Sequence, residues 1–190
     1  MSEMIGELKR VLLIFGTMAL FLGLVYPLAI TGISQLIFPQ QADGSMIIVN
    51  DTAIGSELIG QSFTGPQYFH GRPSAVDYNA SISGGSNLGP TNKKLIDRVN
   101  ESIQEIRTVN RLPDNAKIPA DLVLASGSGL DRFISVESAE LQVPRIARER
   151  NMSEQTIKDL IVNTQETPFP GTWQPAVNVL KLNIALDGIH

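Results

Sequence analysis

The sequence predicts an α+β soluble domain attached to a single N-terminal transmembrane helix, and three observations lead there. Residues 11–38, VLLIFGTMALFLGLVYPLAITGISQLIF, contain no Asp, Glu, Lys or Arg, a run longer than the roughly 20 apolar residues that cross a bilayer. The chain has 190 residues, so about 150 follow that run, room for one soluble core but not two. In that remainder, strand-like stretches are scattered and helical patterns clustered, an order that suggests an α+β fold. The organisation read from the sequence is therefore a cytoplasmic N-terminus at 1–10, a transmembrane helix at 11–38 and an extracytoplasmic α+β domain at 39–190.

The run is too long for the apolar region of a cleaved signal peptide and lacks a small-x-small site at its end. Pro27 lies inside it and removes one helical donor, which predicts a kink or local unwinding near Tyr26 and Pro27. Ala19, Gly23, Pro27, Thr31 and Gln35 recur at every fourth residue. That spacing forms a slowly winding ridge of small and polar groups suited to docking against other membrane helices. Lys9 and Arg10 abut the first end of the run, whereas the first basic residue after it is Arg72. By the positive-inside rule the N-terminus is cytoplasmic and the remainder lies outside.

Beyond the run, Pro39 is expected to stop the helix, and Asp43 and Gly44 to form a turn. Residues 46–50 read as a short strand, and 57–63 as a further strand or turn. Residues 65–90 lose all periodicity and are rich in Gly, Pro, Ser and Asn, yet they carry Tyr68, Phe69 and Tyr78. Such a stretch is an ordered loop rather than a disordered one. Leu95, Ile96, Val99, Ile103, Ile106 and Val109 then make one apolar stripe of a helix capped by Thr91 or Asn92. A helical turn or strand follows Pro119, leading into the glycine-rich turn at Ser126. Ser135 caps a short helix reaching Gln142, and Pro144 opens another that carries Arg145, Arg148 and Arg150. Ser153 caps a third helix, with Met152 and Ile157 as its hydrophobic staple, and Pro168 and Pro170 end it. Residues 177–187 place Leu180, Leu182, Ile184 and Leu186 at period two, which predicts a terminal strand.

Composition excludes several functions. The net charge of −4 gives no basic patch for nucleic acid. With no cysteine and only His70 and His190, neither a thiolate metal site nor a multi-histidine zinc site can form. The phosphate-loop, nucleophile-elbow and zinc-protease motifs are all missing. His70 with Asp77 offers an acid–base pair but has no nucleophile beside it. Two glycine-rich turns, around Gly84 and Gly85 and at Ser126, Gly127, Ser128 and Gly129, could present N–H groups to an anion or simply turn the chain tightly.

The assembled pieces resemble one family, the C subunit (KdpC) of the Kdp potassium-transporting P-type ATPase. The resemblance rests on VYPLAITGISQLIFPQQADGS at 25–45, LIGQSFTGPQYFHGRPSAVDYNASISGGSNLGPTN at 58–92, ASGSGLD at 125–131, LQVPRIARERN at 141–151 and PAVNVLKLNIALD at 175–187. It implies a non-catalytic accessory subunit of an ATP-driven, high-affinity potassium import complex in the bacterial plasma membrane. The implied partners are a channel-like potassium-translocating subunit, a P-type subunit that hydrolyses ATP, and a small hydrophobic subunit. This chain would bind no cofactor alone, with ATP and potassium handled by the complex. Consistent with that, it lacks the DKTG phosphorylation sequence.

The resemblance also implies a catalytic chaperone that raises the ATP affinity of the hydrolysing subunit, with Ser126 to Gly129 likened to a nucleotide contact. The charge-derived topology opposes direct contact, because it puts these residues outside. An effect on ATP use would then pass through the membrane helices as coupling between distinct sites. Within the loop, Tyr68, Phe69, His70 and Arg72 are the expected partner contacts, aromatic residues and Arg being favoured interface anchors. The rival expectation is a membrane-anchored extracytoplasmic enzyme or ligand-binding domain.

Overall fold

The computed structural model describes residues 2–167 and 174–188, and the chain divides into two units, Met1–Ser56 and Glu57–His190.

The first unit is mostly one long helix. It comprises α1 (Ser2–Leu20), a wider π turn (Phe21–Val25) and α2 (Tyr26–Ile37). Met4–Ile37 is long and apolar enough to cross a membrane, and no residue of its most apolar window is buried. The irregularity expected at Pro27 sits one turn earlier. Proline lacks an N–H, so the carbonyl four residues before it has no ordinary partner; the chain widens there, with the Tyr26 N–H reaching back to the Phe21 carbonyl. Positions four apart drift by about 40° in an α-helix. A wider turn opposes that drift, so Ala19, Gly23 and Pro27 lie closer to one line than ideal geometry gives.

Pro39 both ends and restarts the helix. It drives Phe38 out of helical geometry (φ −133°, ψ 57°) and opens the single turn α3 (Pro39–Ala42). Gly44 follows with φ +83°. A hairpin then forms from β1 (Met46–Val49) and β2 (Thr52–Ser56), paired antiparallel with a bulge in register between Ile47 and Ile48. The second strand lies before residue 57, and of the strand or turn expected at 57–63 the chain forms a turn at Glu57 and Leu58.

The second unit contains α4 (Lys93–Asn110), α5 (Ala120–Val123), β3 (Phe133–Ser135), α6 (Val136–Arg150), α7 (Glu154–Thr164), β4 (Gln165–Glu166), β5 (Ala176–Asn178) and α8 (Val179–Asp187). Its sheet has the order β3-β5-β4, all antiparallel. The core gathers Ile134 and Val177 from the sheet, Ala139, Val143 and Ile146 from α6, Ile157 and Ile161 from α7, and Leu182 and Leu186 from α8. Caps set the helix starts as expected. The side chain of Asn92 accepts from the Lys94 N–H, Ser135 from Ser138 and Ser153 from Thr156.

Two sequence expectations fail, each for a physical reason. The helix expected to stop at Gln142 and the one expected to start at Pro144 are a single helix, α6, with Pro144 inside it. An interior proline costs about 3 kcal/mol, but Ala139, Val143 and Ile146 on one face are fully buried, and Glu140, whose carbonyl loses its donor, is exposed to water. The terminal strand exists only as Ala176–Asn178; residues 179–187 are the helix α8. Its buried positions are Val179, Leu180, Leu182, Asn183 and Leu186, of which Val179, Leu182, Asn183 and Leu186 follow helical spacing, and Asn178 caps it by accepting from the Leu180 and Lys181 N–H groups. Pro168, Pro170 and His190 lie outside the described residues.

Candidate functional site

From Glu57 to the start of α4 the chain has neither helix nor strand, yet part of it runs through the core. Phe69 is 0% exposed and packs with the core residues of α6, α7 and α8. A buried backbone without a sheet must find partners for its N–H and C=O groups elsewhere, and here side chains supply them. The Asn183 amide accepts from the Phe69 N–H at 2.8 Å and donates to its carbonyl at 3.0 Å. Gln142 does the same for His70, at 2.8 and 3.1 Å. Arg145 donates to the carbonyls of Pro66 and Tyr68, and Arg150 to that of Gln67 at 2.9 Å. Residues 66–70 thus behave as a strand whose neighbours are side-chain amides and guanidinium groups.

Arg145 is the centre of this arrangement. It is 1% exposed, and its Nε donates to Asn110 Oδ1 at 2.9 Å while Nη2 donates to Gln142 Oε1 at 2.7 Å. Its hydrogen-bond partners are all neutral acceptors. Burial lowers its pKa to about 10, with Glu149 opposing and Arg148 adding to that shift, so it stays charged at neutral pH. Arg145, Arg150, Gln142 and Asn183 all escaped sequence reasoning as functional positions. The available signal was a polar residue set between apolar neighbours, as in Leu141-Gln142-Val143 and Leu182-Asn183-Ile184.

The four loop residues expected to meet a partner have different places. Phe69 is enclosed in the core and presents no surface, so it is not an interface anchor. Tyr68 is half-buried, lies under the Arg150 guanidinium at 5.0 Å and bonds Asp187 at 3.2 Å. Arg72 pairs with Asp131 at 2.9 Å, and its backbone carbonyl accepts from the Tyr78 hydroxyl. Burial, with Asp131 adding to it, pushes the Tyr78 phenol up to about 12. His70 donates from Nε2 to the Gly65 carbonyl at 3.0 Å, the carbonyl being able only to accept.

Burial is the main cause that lowers the His70 pKa from its ordinary 6.5, with the Gly65 bond raising it, Arg145 lowering it and Glu105 raising it. Below pH 6.5 the unfolded chain takes up a proton that the folded chain refuses, so stability falls as the pH falls through that window and is level above it. Urea midpoints of the wild type and a His70→Gln variant at about pH 7.5 and about pH 5.5 check this: the variant should lose less on acidification, and equal losses would refute it.

His70 and Asp77 both line a cleft of about 530 Å³, together with Phe63, Tyr78, Glu105 and Ile106. No hydrogen bond joins His70 to Asp77 among the described residues. Nor is any group of three or more His, Asp or Glu among them placed to hold a metal ion.

The two glycine-rich turns meet each other. The Gly84 N–H donates to the Ser128 carbonyl at 2.8 Å, and the Ser83 and Ser74 hydroxyls bond the carbonyls of Ser128 and Gly129. Within the turn, the N–H groups of Gly129 and Leu130 are taken by the hydroxyls of Ser126 and Ser128. Two of the donors that an anion would need are therefore already bound inside the turn. Gly129 has φ +70°, and a Cβ there would lie 2.6 Å from Val76 Cγ2 and 2.7 Å from the Gly84 carbonyl. Gly129→Ala should destabilise the unit by about 2–4 kcal/mol, combining left-handed strain with overpacking; chemical denaturation of the full chain in detergent reads it.

On the membrane helix, the Thr31 hydroxyl bonds the Pro27 carbonyl at 2.8 Å and the Gln35 amide bonds Asp43 at 3.0 Å. The polar members of the ridge are thus hydrogen-bonded within the chain, whereas Ala19, Gly23 and Pro27 carry no polar side chain.

These features define an α+β protein carrying one membrane-length helix, in which the buried side chains of Gln142, Arg145 and Asn183 hold one irregular segment. Residues 8–188 match the family described as KdpC, the K+-transporting ATPase c chain, and the chain belongs to that family. The Potassium-transporting ATPase KdpC subunit of Janthinobacterium sp. (strain Marseille) is 50% identical, over 94% of this chain and 96% of the relative. The protein of the same name from Rhodopseudomonas palustris (strain BisB5) is 46% identical over 97% and 98%, and that of Koribacter versatilis (strain Ellin345) is 50% identical over 88% and 86%.

Proposed function

We propose that this chain is a non-catalytic accessory subunit that stabilises a potassium-importing ATPase complex, with ATP hydrolysed on another polypeptide. The observation that carries the reading is the near-complete match to relatives named as subunits of such an ATPase. It is supported by a membrane-length helix whose apolar surface is exposed. That helix docks through Ala19, Gly23, Pro27, Thr31 and Gln35 against spans of the channel-like, P-type and small hydrophobic subunits. The exposed parts of Tyr68, His70 and Arg72 face the channel-like partner, and the clamped segment behind them keeps that surface rigid.

Lys9 and Arg10 support a cytoplasmic N-terminus, which puts Glu57 onward outside the cell. A rise in ATP affinity of the hydrolysing subunit would then travel through the membrane helices. Affinity purification from detergent-solubilised membranes tests the assembly: the other subunits should come with this chain, and recovery of it alone would refute the reading. Because cysteine is absent, a Ser128→Cys chain probed on intact cells with a membrane-impermeant thiol reagent tests the orientation. Labelling is expected; protection would restore direct nucleotide contact at Ser126 to Gly129.

The cleft around His70 supports a second reading, an extracytoplasmic ligand-binding or catalytic domain. A His70→Ala chain that supports potassium uptake at the wild-type rate would remove it.

A further inference from the structure

The hairpin of β1 and β2 is an incomplete sheet. Two strands alone are marginal in water, and the apolar side chains of these two stay open to solvent: Met46 is 39%, Ile48 65% and Ile54 41% exposed. Neither strand carries a charge, and Asp51 at the tip is the hairpin's single ionisable group. Soluble proteins protect open strand edges with charges, proline or bulges. Here β2 has a bulge beside Ile54, but β1 has no such protection.

The closing pair Val49–Thr52 flanks a two-residue turn, so it exchanges both ladder bonds and the next pair, Ile48–Ala53, points its N–H and C=O groups outward. Ile48 therefore offers an unpaired donor and acceptor on a smooth, uncharged edge. The hairpin belongs to the same unit as the membrane helix. It is tied to the helix exit by the Ser45 N–H bonding the Gln40 carbonyl at 2.8 Å and the Ser56 hydroxyl bonding the Gly44 carbonyl at 2.7 Å.

Two occupants could cover this edge, and the backbone decides between them. Hydrocarbon would satisfy the apolar side chains but leave the edge N–H and C=O groups unpaired, which bilayers do not tolerate. An extended peptide satisfies both. The uncharged part of the helix, 27 residues at 11–37, is about 40 Å long against a hydrocarbon core of about 30 Å. Its last turns and the hairpin thus lie where other subunits emerge from the membrane.

We propose that the free edge of β1 receives a third strand, an uncharged extended segment rich in β-branched residues, from a membrane-embedded subunit of the complex. This rests on the subunit reading above. Residue-resolved hydrogen exchange tests it on the purified complex and on the full chain reconstituted alone in lipid vesicles. The Ile48 amide should exchange on the order of a hundredfold more slowly in the complex, while the Ala53 amide on the β2 edge stays fast in both. Fast exchange of Ile48 in a complex that has co-purified overturns the added strand and leaves the subunit reading intact. Slow exchange in the vesicles alone overturns it in favour of lipid or a second copy of this chain. Recovery of the chain without partners removes the subunit reading and the proposal with it.

Discussion

Replacing Arg145 by methionine is expected to cost about 3–5 kcal/mol of folding free energy, a large share of the roughly 5–15 kcal/mol that a domain possesses. The guanidinium joins three parts of the second unit: Asn110 at the end of α4, Gln142 on its own helix, and the carbonyls of Pro66 and Tyr68. Methionine fills similar space but leaves these acceptors buried without a donor, each costing about 1–3 kcal/mol. Removing a charge held only by neutral partners gives some of that back, which keeps the net below the sum. Arg145→Lys separates charge from geometry: an ammonium has three donors on a flexible stem and cannot reproduce the planar fork, so lysine should recover less than half of the loss. Denaturation midpoints of the full chain in detergent, with hydrogen exchange at 66–70, check both variants. If lysine restored the wild-type midpoint, charge rather than the fork would be what holds the segment.

The sequence revealed elements wherever a local signal agreed with the tertiary environment. Residues 11–38 declared themselves through absent charge, and α4 and α7 through Asn92, Ser153 and one-sided apolar spacing. It misled where the environment overrode the local signal. Pro144 reads as a helix start, yet the buried residues on either side keep α6 continuous. Residues 179–187 are buried at Val179, Leu180, Leu182, Asn183 and Leu186, and a short helix with so much apolar surface loses the periodicity that separates it from a strand. The loop at 65–90 is legible as ordered but not as clamped, because the side chains that hold residues 66–70 are 72 to 114 residues away in sequence. The glycine turns illustrate the same limit. Composition leaves Ser126 to Gly129 as either an anion cradle or a tight turn, and only the folded geometry shows the Gly129 and Leu130 N–H groups already held by the Ser126 and Ser128 hydroxyls.

Asn183→Leu is the second large effect, expected at about 3–5 kcal/mol, because Asn183 is fully enclosed and bonds both the N–H and the carbonyl of Phe69. Leucine is nearly isosteric and apolar, so it forms no compensating bond and leaves two backbone groups stranded at about 1–3 kcal/mol each. Asn183→Asp distinguishes the two bonds: a carboxylate still accepts from the Phe69 N–H but faces the carbonyl with another acceptor and introduces a buried charge. It should therefore be at least as damaging as leucine near neutral pH and partly relieved on acidification, where the protonated acid can donate to the carbonyl. That opposes the wild-type trend set by His70, whose burial makes acid destabilising. Unfolding midpoints at two pH values read both signs. If Asn183→Asp weakened on acidification as much as the wild type does, the amide's donor to the Phe69 carbonyl would not be what fixes this segment in the core.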